Sequence, residues 1–171
     1  DVPGTTSNVE TGLTEVTNEK VAAFGYSSGS YTGQWKDGKP YGYGKWSSAE
    51  TGGDTYEGNW VDGKACGKGK LTYCMRKNKI SSVQEGEFKN DELNGQGKWT
   101  LYKDDGKTIS YIEEGEFKSG DLNGQGKCTL YEDDGKTIST IKEGEFSNGK
   151  LNGQGKWTLY INGGVYSVYE G

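Results

Sequence analysis

The chain has no histidine and, among its 171 residues, only two prolines, one methionine and three cysteines. Without histidine, serine and cysteine lack their ordinary general base, so triad-type nucleophilic catalysis is excluded. A zinc site would then need four thiolates or carboxylates, and only three thiols exist. Hydrophobic residues make up 30%, too few to fill a conventional two-layer core. No stretch approaches the roughly 18 apolar residues of a transmembrane helix. Positive charge is also in deficit: 20 basic against 25 acidic residues leave a net charge of −5. Proteins that hold nucleic acid by its phosphates carry the opposite sign, so no nucleic-acid partner is expected. Contact with an anionic membrane is disfavoured for the same reason. No cofactor is expected. The first residue is Asp1 rather than methionine. If a signal segment once preceded it, the protein would be secreted or surface-exposed.

Glycine and aromatics are what the chain has in abundance, with 30 glycines, 12 tyrosines, five tryptophans and four phenylalanines. The glycines are periodic. A glycine is followed nine residues later by a second and two residues after that by a third, five times over. The copies are Gly33, Gly42 and Gly44; Gly58, Gly67 and Gly69; Gly86, Gly95 and Gly97; Gly115, Gly124 and Gly126; and Gly144, Gly153 and Gly155. The step between copies is 25, 28, 29 and 29 residues. Self-similarity at such a period marks a repeat architecture whose units pack only on their neighbours. Disordered chains are poor in aromatics, whereas here they recur in register.

Each copy contains a hairpin. Asn148-Gly149, Asp37-Gly38, Asp62-Gly63 and Ser119-Gly120 lie between alternating segments, which is a type I′ turn signal. Asn90-Asp91 holds the same place in the third copy, and both residue types tolerate positive φ. With a two-residue loop, Phe88 faces Leu93 and Phe146 faces Leu151. Uninterrupted pairing then sets Gly86 opposite Gly95 and Gly144 opposite Gly153. A second hairpin, with turns Lys103–Lys107 and Glu132–Lys136, joins one copy to the next. The segments 85–112 and 114–141 match at 22 of 28 positions. Alternation puts Gly86, Phe88, Leu93, Gly95, Gly97, Trp99 and Leu101 on one face, with Ile109 and Tyr111. Glu85, Glu87, Asn94, Gln96, Lys98, Thr100 and Tyr102 face the other way. The expected fold is therefore all-β: an elongated, single-layer, twisted antiparallel sheet of tandem β-hairpins, with almost no helix. Residues 1–20 are polar and non-periodic and read as a linker or tail. Residues 21–171 form the array, with copies beginning near 31, 56, 84, 113 and 142 and a partial copy at 169. Residues 24–31 read as the second half of a copy that lacks its first half.

Several motifs invite a chemical reading. Glu85/Glu87, Glu114/Glu116 and Glu143/Glu145 are paired carboxylates, but they recur on a polar face with nothing to desolvate one member, as acid–base work requires. Lys45, Lys70, Lys98, Lys127 and Lys156 follow the third glycine of each copy and can pair across strands with the glutamates. The Asp-Asp-Gly turns fall short of a calcium loop and read as hairpin turns. No metal site is expected. The Gly-x-Gly elements lie between strands rather than before a helix, which excludes a dinucleotide site. Cys128 stands where Trp99 and Trp157 stand in other copies, and Cys66 aligns with Tyr41 and Asn94, as casual occupants of repeat positions would. A Cys66–Cys74 disulfide stays open, provided their Cα atoms come within about 7 Å.

The segment Tyr31-Thr32-Gly33-Gln34-Trp35-Lys36-Asp37-Gly38, continuing to Gly42-Tyr43-Gly44, resembles the MORN repeat, as does Tyr56-Glu57-Gly58-Asn59-Trp60-Val61-Asp62-Gly63-Lys64. Tyr169-Glu170-Gly171 opens a further copy. The resemblance covers about residues 21–171. It implies a twisted antiparallel sheet without catalytic activity, in a family used as scaffolds, as membrane-apposed modules and beside enzyme domains. Three copies depart from the pattern. Gln84, Glu113 and Lys142 replace the leading tyrosine, and Phe88, Phe117 and Phe146 replace the tryptophan. The reading that follows is a non-enzymatic scaffold for a protein partner or for self-association. A carbohydrate or cell-wall binding module is the alternative and a membrane-apposed lipid-binding module the second. The candidate interaction surface is Trp35, Trp60, Phe88, Trp99, Phe117, Phe146 and Trp157, because tryptophan and phenylalanine are favoured anchors and large apolar patches are seldom left exposed without use.

Overall fold

Six Asx-Gly-like dipeptides set the architecture. In a computed structural model, which describes residues 7–8, 12–50, 52–76 and 78–171, both central residues of each first-hairpin turn have positive φ. The values are 50° and 76° at Asp37-Gly38 and 51° and 72° at Asn90-Asp91. This is the type I′ geometry whose twist matches that of paired strands. Asn162-Gly163 adds a turn of the same kind at 52° and 77°.

The strands so joined are β1 (Ser7–Asn8), β2 (Leu13–Lys20), β3 (Gly29–Lys36), β4 (Lys39–Ser48), β5 (Thr55–Val61), β6 (Lys64–Arg76), β7 (Lys79–Lys89), β8 (Glu92–Tyr102), β9 (Ile109–Lys118), β10 (Asp121–Tyr131), β11 (Ile138–Ser147), β12 (Lys150–Ile161) and β13 (Gly164–Glu170). They form one 13-stranded sheet in strict chain order, every neighbouring pair antiparallel. At about 4.8 Å per strand the sheet extends roughly 58 Å across its strands. No helix occurs among the described residues. Order begins before Val21: Leu13–Lys20 is a strand paired with β3, so the tail expected over 1–20 is corrected for these residues. Most of the rest of 1–11 lies outside the described residues.

The glycines are aligned across the sheet. Gly33 pairs with Gly44, Gly44 with Gly58, and Gly58 with Gly69. Gly69 pairs with Gly86, Gly86 with Gly97, and Gly97 with Gly115. The row continues through Gly126 and Gly144 to Gly155. The expected partners Gly95 and Gly153 are thereby corrected to Gly97 and Gly155. The reason is a bulge. Between the pairs Phe88–Leu93 and Gly86–Gly97, one residue of β7 opposes three of β8. The second glycine of each copy sits inside this bulge with positive φ, 116° at Gly95, where an L-residue is strained. It also turns to the charged face, towards the Glu87 side chain, and not to the aromatic face as strict alternation implies.

The third glycine is required for a different reason. A Cβ at Gly126 would lie 2.8 Å from Leu122 Cδ1, and one at Gly155 2.7 Å from Leu151 Cδ1. In the first two copies the obstruction is the ring of Tyr31 over Gly44 and of Tyr56 over Gly69. Each phenol donates to a carbonyl of the bulge, at Gln34 (2.6 Å) and Asn59 (3.1 Å). The two arrangements are alternatives. Copies with tyrosine have Pro40 or Ala65 opposite the tryptophan, and copies without it have Leu93, Leu122 or Leu151 opposite the phenylalanine. Leucine from the return strand thus fills the volume that tyrosine fills from the outgoing one.

The first hairpins also hook together. Gly63 N–H donates to Pro40 O, Asp91 to Ala65 O, Gly120 to Leu93 O and Gly149 to Leu122 O, at 2.9–3.2 Å. Asp91, lacking glycine's freedom, is compensated by bonds from Ala65 N at 2.8 Å and Lys64 Nζ at 2.7 Å. In the second hairpins Asp105 accepts from the backbone of Lys107 and Thr108 and from the Thr108 hydroxyl, so the expected hairpin turn is built as an Asx turn. Those three bonds hold its carboxyl low, at about 2.

Two predictions follow from the glycine row. Gly155→Val is expected to cost more than about 1 kcal/mol through packing strain. Lys156→Ala, whose ammonium lies 3.6 Å from Glu170 at the surface, should cost a few tenths. Paired urea melts check this order. The leucine–tyrosine exchange makes a second test. Leu122→Ala should cost about 2–5 kcal/mol. The double variant Glu113→Tyr/Leu122→Ala, which copies the second repeat, should be more stable than Leu122→Ala.

Candidate interaction surface

Alternation through this register gives two unlike faces. Flanking the glycine row on one face is a ladder that alternates in sign: Lys45, Glu57, Lys70, Glu85, Lys98, Glu114, Lys127, Glu143, Lys156, Glu170. Ion pairs close along it at 3.3 Å (Lys45–Glu57), 3.4 Å (Lys70–Glu85) and 3.7 Å (Lys98–Glu114). Glu57 also accepts from the Tyr43 hydroxyl, and these bonds hold its carboxyl below the usual range. Exposed pairs of this kind contribute about 0–1 kcal/mol each and mainly fix register. The same face changes character where the connecting hairpins widen the sheet. Val83, Thr100, Ile112, Thr129 and Thr158 are buried there, in one cross-strand row. The polar face expected from the sequence is polar only near the glycines. The bulge at Ser110 pairs Ile109 with Tyr102, which moves it off the aromatic side.

The opposite face carries the rings. Over the first two copies a chain segment covers it. Residues 21–28, between β2 and β3, make a tight turn in which Tyr26 N–H donates to Ala23 O. They form a lid, not the half copy expected from the sequence. Phe24 lies 5.1–5.8 Å, ring to ring, from Trp46, Tyr56 and Trp60. Trp46 Nε1 donates to Val21 O at 3.1 Å. The Tyr26 hydroxyl donates to the buried Asp54, whose other oxygen accepts from Cys74 N at 2.7 Å. That bond is the largest cause that pushes the Tyr26 phenol up to about 12.

Over the last three copies no described segment covers this face. Two rows of side chains cross it, half-buried or exposed except for the buried Ser82. One runs Gln84, Trp99, Glu113, Cys128, Lys142, Trp157, Tyr169. The other runs Ser82, Leu101, Tyr111, Leu130, Thr140, Leu159, Ser167. A pocket of about 320 Å³ opens among Cys128, Lys142, Phe146, Lys150, Leu151 and Trp157. Lys142 Nζ stands 4.6 Å from the Trp157 ring centre. Burial pushes the Glu113 carboxyl up, with Asp121 adding to it. Burial likewise raises the Cys128 thiol to about 11, Glu113 adding and Lys142 opposing.

Of the seven candidate anchors, Trp60, Phe88, Phe117 and Phe146 are 1–4% exposed. They are core residues and are corrected as such: each packs against the glycine row and its neighbours in one cluster. Trp35 and Trp99 are half-buried against Tyr31 and Tyr111, and Trp157 is 41% exposed. The candidates omit Glu113, Cys128, Lys142 and Tyr169, which the structure sets in line with Trp99 and Trp157. For Glu113 and Lys142 the signal was the departure of the last three copies from the leading tyrosine, for Cys128 its alignment with Trp99 and Trp157, and for Tyr169 its place as the leading tyrosine of the further copy. All three cysteines are free, and Cys66 and Cys74 lie eight positions apart on β6, which excludes their pairing.

The raised Glu113 carboxyl has a pH consequence. Its folded-state value exceeds the ordinary one, so the folded chain binds the proton more tightly. Stability then falls as pH rises from the ordinary carboxylate value through the raised one. Glu113→Gln is expected to remove this loss and to melt higher than the parent at pH 7, with the gain vanishing in acid; thermal melts across pH check it.

A family model for the MORN repeat matches residues 31–50, 56–75, 85–105, 114–133 and 143–163, well over half of the chain. Comparison with curated proteins finds no match. MORN repeats generally serve as interaction modules for proteins or membrane lipids, and their fold is of a non-catalytic type. With five matched copies in one continuous sheet, the chain belongs to the MORN-repeat family.

Proposed function

We propose that the protein is a non-enzymatic scaffold that binds a protein partner through the aromatic face of its last three repeats. The observation that carries this reading is the contrast along one face. Polypeptide with an aromatic plug, Phe24, covers it over the first two repeats, while Trp157 and Tyr169 stand 41% and 60% exposed at its open end. Aromatic residues at the centre of an apolar patch are the usual anchors of a protein interface. The paired glutamates lie exposed in or beside the ion-pair ladder, which supports a binding role over acid–base chemistry. A net charge of −5 favours a protein over an anionic bilayer.

A photo-crosslinking amino acid at position 169, on the aromatic face, is compared with one at position 127, in the charged ladder. Position 169 is expected to give discrete protein adducts that Trp157→Ala diminishes, and position 127 none. Retention on a glycan array, or co-sedimentation with anionic vesicles, without such adducts would instead support the carbohydrate or the membrane reading.

A further inference from the structure

The two open rows are symmetric in their chemistry about β10. Moving outward from Cys128, the first row meets Glu113 on one side and Lys142 on the other, then Trp99 and Trp157, then Gln84 and Tyr169. Moving outward from Leu130, the second row meets Tyr111 and Thr140, then Leu101 and Leu159, then Ser82 and Ser167. Trp99 matches Trp157, Leu101 matches Leu159 and Ser82 matches Ser167, while Tyr111 and Thr140 share only a hydroxyl, Gln84 and Tyr169 share only a hydrogen-bonding end, and Glu113 and Lys142 are opposite in charge. A surface with this pattern is complementary to itself under a two-fold rotation about an axis along β10. That operation lays β9 on β11 of a second copy and returns each row to itself. The isologous interface of a two-fold dimer has this property.

We propose that the occupant of this face is a second copy of the chain, docked face to face about a two-fold axis running along β10. The idea rests on reading the aromatic face as an interaction surface. In the dimer Glu113 of one copy meets Lys142 of the other twice over, Trp99 meets Trp157, and Cys128 lies at the axis beside its own counterpart. The state of the charges supports this occupant. On the other face, lysines and glutamates pair with each other in four contacts of the ladder. On this face Glu113 is desolvated, and among the described residues no ion pair or hydrogen bond joins it to a partner. Lys142 lies over the Trp157 ring. Among the described residues, the buried polar side-chain atoms without a hydrogen bond, Trp99 Nε1 and Ser167 Oγ, belong to these same rows. The pairing of two sheets about 10 Å apart is the ordinary geometry of a β-sandwich. From β7 to β13 the face measures roughly 30 Å by 20 Å at normal strand spacing, or about 600 Å² per copy. That lies at the lower end for a stable interface, so the dimer is weak and concentration-dependent.

Sedimentation velocity over a concentration series tests this on the full chain. The parent is expected to dimerise reversibly, and added salt to weaken the dimer. Lys142→Glu and Glu113→Lys should each weaken it at least about tenfold, because each sets like charges together at two places. The double variant Glu113→Lys/Lys142→Glu restores opposite charges across the axis and should recover the dimer. Lys127→Ala, on the charged face, should change nothing. Circular dichroism establishes that each variant is folded. If a reversal fails to fold, Glu113→Gln and Lys142→Gln replace it, and each should flatten the salt dependence. A monomer at all concentrations, a dimer indifferent to the single changes, or a double variant no better than either single overturns the proposal. If the chain is monomeric while position 169 still captures another protein, the interaction surface stands and the second copy is ruled out. Vesicle binding by the monomer would rule out both.

Discussion

Everything in this sheet depends on how closely its strands' side chains can approach the backbone along one line. Ten glycines, one per strand from β3 to β12, lie side by side across it. A single-layer sheet has no second layer to cover its apolar side. Here the rings and leucines lie down over the glycine row instead, in space that any Cβ would fill. Phe88, Phe117 and Phe146 become buried with only one sheet, and the chain needs few hydrophobic residues to do so. The positive φ of the second glycine makes the bulge, and the bulge lets the first and third glycines meet across each hairpin.

The same economy explains why one end of the aromatic face is closed and the other open. In the first two repeats Tyr31 and Tyr56 fill the space over the glycines, and they share a cross-strand row with Trp46 and Leu71, all buried. That apolar floor holds Phe24 of the lid. In the last three repeats leucine takes over the space above the glycine, which frees the leading position. It then carries Gln84, Glu113 and Lys142, groups that do not favour an apolar lid. A change in internal packing has thereby turned a core position into a chemically varied surface position.

The opposite face has a structural character. Its ladder alternates in sign at every strand, so each charge is flanked by opposite charges. Its exposure is high and its contribution to stability small, but a one-residue register slip would turn a strand's charge to the other face and away from its partners.

The sequence by itself determined the strand content, the turns and the number of repeats. These follow from local chemistry: dipeptides that accept positive φ, alternation of side chains, and glycines at fixed spacing. It also determined that Phe88 meets Leu93 and Phe146 meets Leu151, because a two-residue turn leaves no freedom in the adjacent pair. Tertiary structure decided what lies beyond the bulge. Gly95 reads as in line with Gly97 by parity, yet three residues opposite one redirect it, and no period-two pattern encodes that count. Tertiary structure also decided that Leu13–Lys20, polar and without clear alternation, is a strand, because β3 supplies hydrogen bonds that propensity cannot anticipate. Finally, it decided which aromatics are core and which are surface. Trp60 and Trp157 look equivalent as letters, but Trp60 lies beneath Phe24 and between Tyr31 and Tyr56, while Trp157 has Lys142 and Tyr169 as neighbours. Burial is a property of what comes to lie over a residue, and that partner is distant in the chain.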